Sequence, residues 1–409
     1  YANYVGGSAD DYALAIQVDA GGQAFVAGIT NSNDFPVTSG VLDTSYNGGA
    51  FFGHDAWIAA FDAAGASLVA ATYFGGSGDD QAYGLDLDAS GNVYVGGLTL
   101  SYTDFPLLHA LQPIYNLDGL LHTLPDSDGF LTSLTPDLTA LRYSTFVAGP
   151  QSEVVFDVAV DGDARAHVVV ETNSTYMLTQ NPIQGSGLAG DNAWIGSYEF
   201  EPSPPAMSLV YGTFLCGSAP DSGHGIAVDA EGYLYAAGYT SSSNFPVSSG
   251  AFDTTFNGTG CGTGDMWVAK IDWADTTPSG GLVYATFLGG ASCDNAWDVA
   301  TDGSGLAFVV GETESSDYPT TPGAYDTTYY AEGDVGFSVL SADGTSLVSS
   351  TFLGARRKDS GQAVATEAGG AHAYLVGSTA SDKFPVTGVY LTPPYQGATD
   401  AFATKIDVP

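Results

Sequence analysis

The chain has 409 residues, with 8 lysines and arginines against 46 aspartates and glutamates, and a formal net charge of −38. A surface of this sign repels phosphate, so composition excludes nucleic-acid binding and binding to anionic membranes. Hydrophobic residues make up 44% of the chain, enough for a core, and no apolar run approaches the ~20 residues of a transmembrane segment.

The sequence is internally repeated. Each copy has an acid at the end of its first apolar stretch, and these acids are Asp19, Asp88, Asp161, Asp229, Asp302 and Glu367. The spacing defines six copies, at approximately residues 1–70, 71–143, 144–211, 212–284, 285–350 and 351–409. Self-similarity at a regular interval is the sequence signature of repeat architectures, among them propellers.

Each copy holds four stretches with strand-like alternation. In the second copy they are Gly84–Asp88, Val93–Thr99, Gly129–Thr135 and Leu138–Phe146. The first two are joined by a short turn that carries Asp and Gly, which is typical of a β-hairpin. Four antiparallel strands repeated six times predict an all-β, six-bladed β-propeller.

The chain ends complement each other. Residues 1–7 match the last strand of a copy, and residues 400–407 match the third strand of a copy. We therefore expect the N-terminal strand to complete the last blade and close the ring, so that residues 1–409 form a single propeller domain without an unpaired edge at the seam.

A signature follows the second strand of most copies. It reads Asp34-Phe35-Pro36, Asp104-Phe105-Pro106, Asn244-Phe245-Pro246, Asp317-Tyr318-Pro319 and Lys383-Phe384-Pro385, whereas the third copy has STYMLTQNP at 174–182. Together with a preceding GG-x-x-x-D and a following D-A-[FW], this pattern resembles the SBBP-type β-propeller repeat. The resemblance implies a bacterial or archaeal secreted or cell-surface module, and it implies no established catalytic residues.

An acid recurs eight residues before the turn acid of each copy. These loop acids are Asp11, Asp80, Glu153, Asp221, Asp294 and Asp359. Hard oxygen ligands suit Ca²⁺, so one interpretation is a cation site at the mouth of the central channel. The alternative is that each acid accepts backbone N–H bonds within its own loop.

Three further acids lie inside the predicted inner strands, where other copies have Ala or Gly. Asp86, Asp157 and Asp298 are predicted to line the channel, either as an acidic cluster or as a solvated wall without function. No spacing singles out a pair of them as general acid and base.

The basic residues are concentrated in the sixth copy. Arg356, Arg357 and Lys358 occupy a loop that reads GGSGD in the second copy, and Lys383 lies on the neighbouring long loop. Such a cluster predicts a partner-binding surface for an acidic group, either an anionic glycan or the acidic face of another copy. The alternative is neutralisation of Asp359 and Asp11 within the chain.

The three cysteines permit one internal disulfide. Cys261 and Cys293 lie in loops on the same predicted face of adjacent blades, so their pairing is the first choice and Cys216–Cys261 the second. A disulfide fits an oxidising compartment.

These features favour a non-catalytic extracellular or cell-surface module that serves adhesion or surface or filament architecture. Its expected partner is a protein, a carbohydrate or another copy of the same chain. The alternative is a Ca²⁺-dependent carbohydrate-active hydrolase or lyase that uses the channel-mouth carboxylates. An intracellular hub of the WD type is disfavoured by the low charge content and the predicted disulfide.

Overall fold

The structure, a computed structural model, describes residues 3–49, 53–115, 126–258, 264–277, 281–367, 369–386 and 398–408. Its secondary structure in these residues is all β, without a helix. Successive strands form the antiparallel sheets of six blades, and the fold is therefore the six-bladed β-propeller that the repeats predict. The chain divides into two compact units, residues 1–187 with 194–213 and residues 188–193 with 214–409.

The first unit contains the first three blades, each a four-stranded meander. The first blade comprises β1 (Asp11–Val18), β2 (Ala24–Thr30), β3 (Asp55–Phe61) and β4 (Leu68–Phe74). The second comprises β5 (Asp80–Leu87), β6 (Val93–Thr99), β7 (Asp128–Leu134) and β8 (Leu141–Val147). The third comprises β9 (Glu153–Val160), β10 (Ala166–Thr172), β11 (Asn192–Pro202) and β12 (Pro205–Leu215).

The second unit contains the last three blades. The fourth blade comprises β13 (Asp221–Val228), β14 (Leu234–Thr240), β15 (Asp265–Ile271) and β16 (Leu282–Leu288). The fifth comprises β17 (Asp294–Thr301), β18 (Ala307–Thr313), β19 (Asp334–Leu340) and β20 (Leu347–Leu353). The sixth comprises β21 (Asp359–Thr366), β22 (His372–Thr379) and β23 (Asp400–Asp407).

The inner strands are longer than the sequence pattern predicts. The stretch Gly84–Asp88 is the second half of β5, which begins at Asp80 and continues through a β-bulge between Ala82 and Gly84. The bulge shifts the side-chain alternation by one residue, which hides the first half of the strand from a period-two search. A Cβ on Gly84 would lie 2.6 Å from the Asp157 Cα, so glycine allows β9 to approach closely.

The aromatic residue of the Phe-Pro signature anchors the long loop of its blade to the core. Phe35, Phe105, Phe245, Tyr318 and Phe384 are all buried. Phe35 packs on Trp57 of β3 with ring centroids 4.8 Å apart, and Phe245 packs on Trp267 of β15 at 5.2 Å. In the third blade, Met177 is buried in the corresponding loop.

The sixth sheet has three strands in the described residues, in the order β21-β22-β23. Residues 3–10 lie in no strand, and Tyr4 is fully exposed. The structure therefore does not show the predicted pairing of residues 1–7 with 400–407. That pairing, and with it the prediction of one closed domain, stays a prediction.

Candidate functional site

The six loop acids all hold the loop that leads into their own inner strand. In every copy one carboxylate oxygen accepts the backbone N–H of the residue four positions upstream, at 2.6–2.8 Å. In five copies a serine hydroxyl that follows the second strand donates to the same oxygen at 2.7–3.0 Å. These acids are Asp11, Asp80, Glu153, Asp221, Asp294 and Asp359. This arrangement matches the alternative in which each acid stabilises its own loop.

Burial shifts the titration of these acids. Loss of hydration raises the pKa of Asp80, Asp221 and Asp294 to about 6 and that of Glu153 to about 7, against the opposing effect of the hydrogen bonds. In the described part of the chain no three acidic, histidine or cysteine side chains are grouped closely enough to hold a metal ion. A single cation site shared by all six loop acids stays a prediction.

The predicted channel acids bond to backbone amides. Asp86 accepts the Leu87 N–H at 2.8 Å and the Val160 N–H of β9 at 2.7 Å. Asp298 accepts the Val299 N–H at 2.7 Å and the Val364 N–H of β21 at 2.8 Å. Asp157 accepts the Val158 N–H at 2.8 Å. Asp86 and Asp298 thus link neighbouring inner strands, and a shared acidic cluster stays a prediction.

The cysteines fall into two kinds. Cys293 is disulfide-bonded. Cys216 is a buried thiol, and burial raises its pKa to about 12. Cys261, the predicted partner of Cys293, lies outside the described residues, so the pairing stays a prediction.

The predicted basic surface borders a groove between the loops of the fifth and sixth blades. This basic groove has a volume of about 510 Å³. Its lining residues are Tyr325, Asp326, Tyr330, Gly354, Ala355, Arg356, Lys383 and Pro385. Tyr325 is 60% exposed and Tyr330 is 42% exposed, so both rings are accessible to a ligand. A cavity of this size accommodates a small ligand or a short stretch of a polymer.

The two cations of the groove occupy the positions of two residues that are hydrogen-bonded to each other in other blades. In the second blade the Ser77 N–H donates to the Asp104 carboxylate of the Phe-Pro signature at 3.1 Å, and the Ser8–Asp34 pair repeats this contact at 2.8 Å. In the sixth blade the corresponding residues are Arg356 and Lys383. The serine is therefore replaced by an arginine and the acceptor carboxylate by a lysine, and both positive charges line the same groove.

These cations differ from the others in the chain. Arg142, Arg165 and Lys270 pair with turn acids of their blades, at 3.6 Å to Asp88, 3.5 Å to Asp161 and 3.7 Å to Asp229, and Lys405 lies over the Tyr374 ring. Within the basic cluster, Lys358 contacts Glu312 at 2.8 Å. In the described structure Arg356, Arg357 and Lys383 form no ion pair, so three positive charges remain available to a partner.

The predicted neutralisation of Asp359 and Asp11 takes another form. The described ion pair from this cluster goes to Glu312, at the end of β18, and not to Asp359. Asp359 is instead held by the Ala355 N–H and by hydroxyl groups.

A serine and a histidine lie within hydrogen-bond distance of each other in β13. The Ser222 Oγ is 3.0 Å from the His224 Nε2, a pairing that nucleophilic catalysis can use. Ser222 is fully buried, however, and the His224 ring stacks on Trp297 with centroids 4.7 Å apart. Burial also lowers the pKa of His224 to about 4. We therefore assign this pair to packing.

The tyrosines of the groove escape sequence reasoning. Tyr325 and Tyr330 belong to the fifth copy and the cations to the sixth, so only the packing of the two blades brings them together. The YDTTYY stretch at 325–330 is the available signal, because it has tyrosine at the two ends where the equivalent FDTTFN stretch of the fourth copy has Phe252 and Asn257.

Comparison with known proteins supports the repeat and the fold. The SBBP β-propeller repeat model matches residues 71–106 and 217–246, which confirms the resemblance in the second and fourth copies. No curated protein sequence matches the chain.

Among solved structures, hydrazine synthase of Kuenenia stuttgartiensis aligns at 12% identity and a TM-score of 0.48, over 92% of this chain and 79% of that one. The Hadza microbial sialidase Hz136 aligns at 9% identity and a TM-score of 0.43, over 88% of this chain and 62% of that one. No helix in the described residues is long and apolar enough to cross a membrane.

Proposed function

We propose that the protein is a non-catalytic extracellular binding module whose basic groove binds an anionic carbohydrate, such as a chain of uronic acids, at a cell surface. The observation that carries the proposal is the joint placement of two unpaired cations and two exposed tyrosine rings in one groove of a chain with net charge −38.

Each part of the groove suits one part of such a ligand. Arg356 presents a planar fork of N–H donors that matches a carboxylate, and Lys383 adds a second positive charge. The tyrosine rings offer flat apolar surfaces against which a sugar ring can pack, and their hydroxyl groups can bond to sugar hydroxyls. The groove holds one carboxylate, Asp326, among its described residues, whereas glycoside hydrolysis ordinarily uses two. The hydrolase alternative stays a prediction.

The acidic surface favours this ligand class over a longer polyanion. A long and densely charged ligand such as nucleic acid would meet repulsion beyond the groove. A short run of uronates places its carboxylates beside the two cations and its sugar faces against the rings.

Isothermal titration with an oligogalacturonate, and with an uncharged oligosaccharide of the same length, tests the proposal. We expect binding of the charged oligosaccharide alone, with an affinity that falls as salt rises. Arg356→Ser and Tyr325→Ala are each expected to weaken binding at least tenfold. Arg357→Ser is the matched control, because Arg357 lies in the same loop but does not line the groove.

Equal binding by Arg356→Ser and the parent protein would refute the assignment of the groove. If the parent protein binds neither sugar but forms dimers that Arg356→Ser abolishes in light scattering, the groove binds the acidic face of another copy, and the carbohydrate proposal is wrong.

A further inference from the structure

A second set of acids, which opens the third strand of several blades, is buried with one oxygen unsatisfied. Asp55, Asp265 and Asp334 are fully buried. The Oδ2 of each accepts one backbone N–H, from Asn47 at 2.6 Å, Asn257 at 2.7 Å and Tyr330 at 2.9 Å. The Oδ1 of each is buried without a hydrogen-bond partner. A buried carboxylate oxygen without a partner is strongly unfavourable, so it calls for a ligand.

Each unsatisfied oxygen faces a loop acid of the next blade across a glycine. Asp55 and Asp80 meet at Gly75, Asp265 and Asp294 meet at Gly289, and Asp334 and Asp359 meet at Gly354. A Cβ on any of these glycines would lie within 3.0 Å of the Oδ1 of the first acid and the Oδ2 of the second. Two carboxylates from adjacent blades therefore border one small space that exists only because the residue is glycine.

The two facing carboxylates of each pair repel each other when both are ionised. Burial, and to a smaller extent the charge of the facing loop acid, raises the pKa of Asp55 to about 8 and those of Asp265 and Asp334 to about 7. None of the ion pairs formed by the described cations includes any of these six carboxylates. A positive charge between the two carboxylates would remove both the repulsion and the unsatisfied oxygen.

Two other positions that correspond to these glycines provide an internal comparison. Where Ala148 replaces the glycine, the loop acid is the longer Glu153. Where Cys216 replaces it, the residue that opens the third strand is Asn192, whose Oδ1 accepts the Leu188 N–H at 2.9 Å and whose amide group donates to the Leu188 and Gly190 carbonyls. The Asp–Asp pair thus occurs together with glycine, and it changes when a Cβ fills the space.

We propose that the Asp55–Asp80, Asp265–Asp294 and Asp334–Asp359 pairs each bind one Ca²⁺ ion between adjacent blades. Two facing carboxylates provide hard oxygen ligands of the kind that Ca²⁺ prefers, and backbone carbonyls and water can complete its coordination. Mg²⁺ demands a stricter octahedron at shorter distances and suits an irregular pair less well. This proposal uses three of the loop acids with new partners, and it does not rest on the carbohydrate proposal.

Calcium titration of the chelator-treated full chain tests the proposal, by isothermal calorimetry at constant ionic strength. We expect three bound ions, and two after any one of Asp55→Asn, Asp265→Asn or Asp334→Asn. Asparagine keeps the acceptor for the backbone N–H, so the loop is retained. Glu231→Gln is the matched control, because it removes one exposed carboxylate away from the pairs and should leave three ions bound.

Substitutions of the glycines provide a second, independent test. None of the three glycines has a positive φ, so alanine is compatible with the backbone conformation, as Ala148 is between the second and third blades, and its Cβ would occupy the space between the carboxylates. Gly75→Ala should also reduce the number of bound ions from three to two. In the parent protein, Ca²⁺ should raise the melting temperature more than Mg²⁺ at the same concentration, because ions that bind only the folded chain stabilise it.

The competing outcome is a shared proton in place of the ion. An acid whose folded pKa lies above its unfolded value stabilises the chain progressively as pH falls through that interval. If the parent protein takes up no more Ca²⁺ than the triple Asp→Asn variant, the calcium proposal is wrong. A melting temperature without calcium that rises between pH 8 and pH 6 would then show that the pairs hold protons instead.

Discussion

Two loops of this protein share one backbone arrangement and carry opposite charges. In the first unit, loop 75–80 is held by the Gly76 N–H on Asp80 at 2.8 Å and the Gly78 N–H on the Ser101 Oγ at 2.8 Å. In the second unit, loop 354–359 is held by the Ala355 N–H on Asp359 at 2.8 Å and the Arg357 N–H on the Ser381 Oγ at 3.0 Å.

The three residues that precede the loop acid differ completely between the two loops. They are Ser77, Gly78 and Asp79 in the first loop and Arg356, Arg357 and Lys358 in the second. Both loops are therefore held by a buried acid at their end and by a serine that lies outside them, although the side chains at these three positions differ. A repeat protein can place a binding surface on one blade in this way without altering the construction of the blade.

The largest expected effect is the loss of the loop acid. Asp80→Ala and Asp359→Ala remove the acceptor of a backbone N–H and of hydroxyl groups, so we expect each to lower the free energy of unfolding by about 3 kcal/mol. Urea unfolding in the presence of a chelator measures both. A much smaller loss for Asp359→Ala would break the comparison, because the two loops would then be held differently.

The serine contacts should contribute less. The Ser101 hydroxyl donates to Asp80 at 2.7 Å and accepts the Gly78 N–H, and the Ser381 hydroxyl does the same for Asp359 and Arg357. Ser101→Ala and Ser381→Ala should each cost about 1.5 kcal/mol in urea unfolding. Values that differ between the two blades by more than this amount would contradict a shared arrangement.

Exchanging the signature residue should affect stability and binding in opposite directions. Lys383→Asp provides the Arg356 N–H with the acceptor that Asp104 provides for Ser77, so we expect about 1 kcal/mol of added stability and at least a tenfold loss of affinity for the oligogalacturonate. The reciprocal Asp104→Lys should cost about 1 kcal/mol in the second blade. Lower stability of Lys383→Asp would show that the lost contact is not what distinguishes the two loops.

The smallest expected effect belongs to Arg357→Ser. The side chain is exposed and forms no described ion pair, and the backbone N–H that bonds to Ser381 is kept. Thermal and urea unfolding should show a change of less than about 0.5 kcal/mol in the free energy of unfolding. A larger loss would mean that the side chain has a structural partner.

The sequence predicts the six blades and the position of the loop acids, because both recur at a regular interval. It does not predict where β5 begins, because the bulge at Ala82 shifts the alternation. The arginines at 356 and 357 stand out in an acidic chain, whereas Tyr325 does not, because its relation to them depends on how two blades pack.

The carboxylate pairs show the same limit. Asp55 is visible as the first residue of the D-A-[FW] motif, but its neighbour Asp80 is defined only by the approach of the next blade. The Oδ1 of Asp55 lacks a hydrogen-bond partner because of how the blades pack, and the repeat pattern carries no information about that packing. Patterns within one blade are therefore readable from sequence, and contacts between blades are not.

The buried aromatic residue of the Phe-Pro signature has a practical consequence for engineering. Phe35 and Phe245 fix the beginning of their long loops on a tryptophan of the same sheet, and the residues that follow bond to the outer strand, through the Thr38 N–H on the Ala71 carbonyl at 3.0 Å and the Ser248 N–H on the Ala285 carbonyl at 2.8 Å. The long loops thus cover the free edges of β4 and β16, so a foreign peptide inserted directly after Pro36 or Pro246 would uncover a strand edge that can pair with other chains.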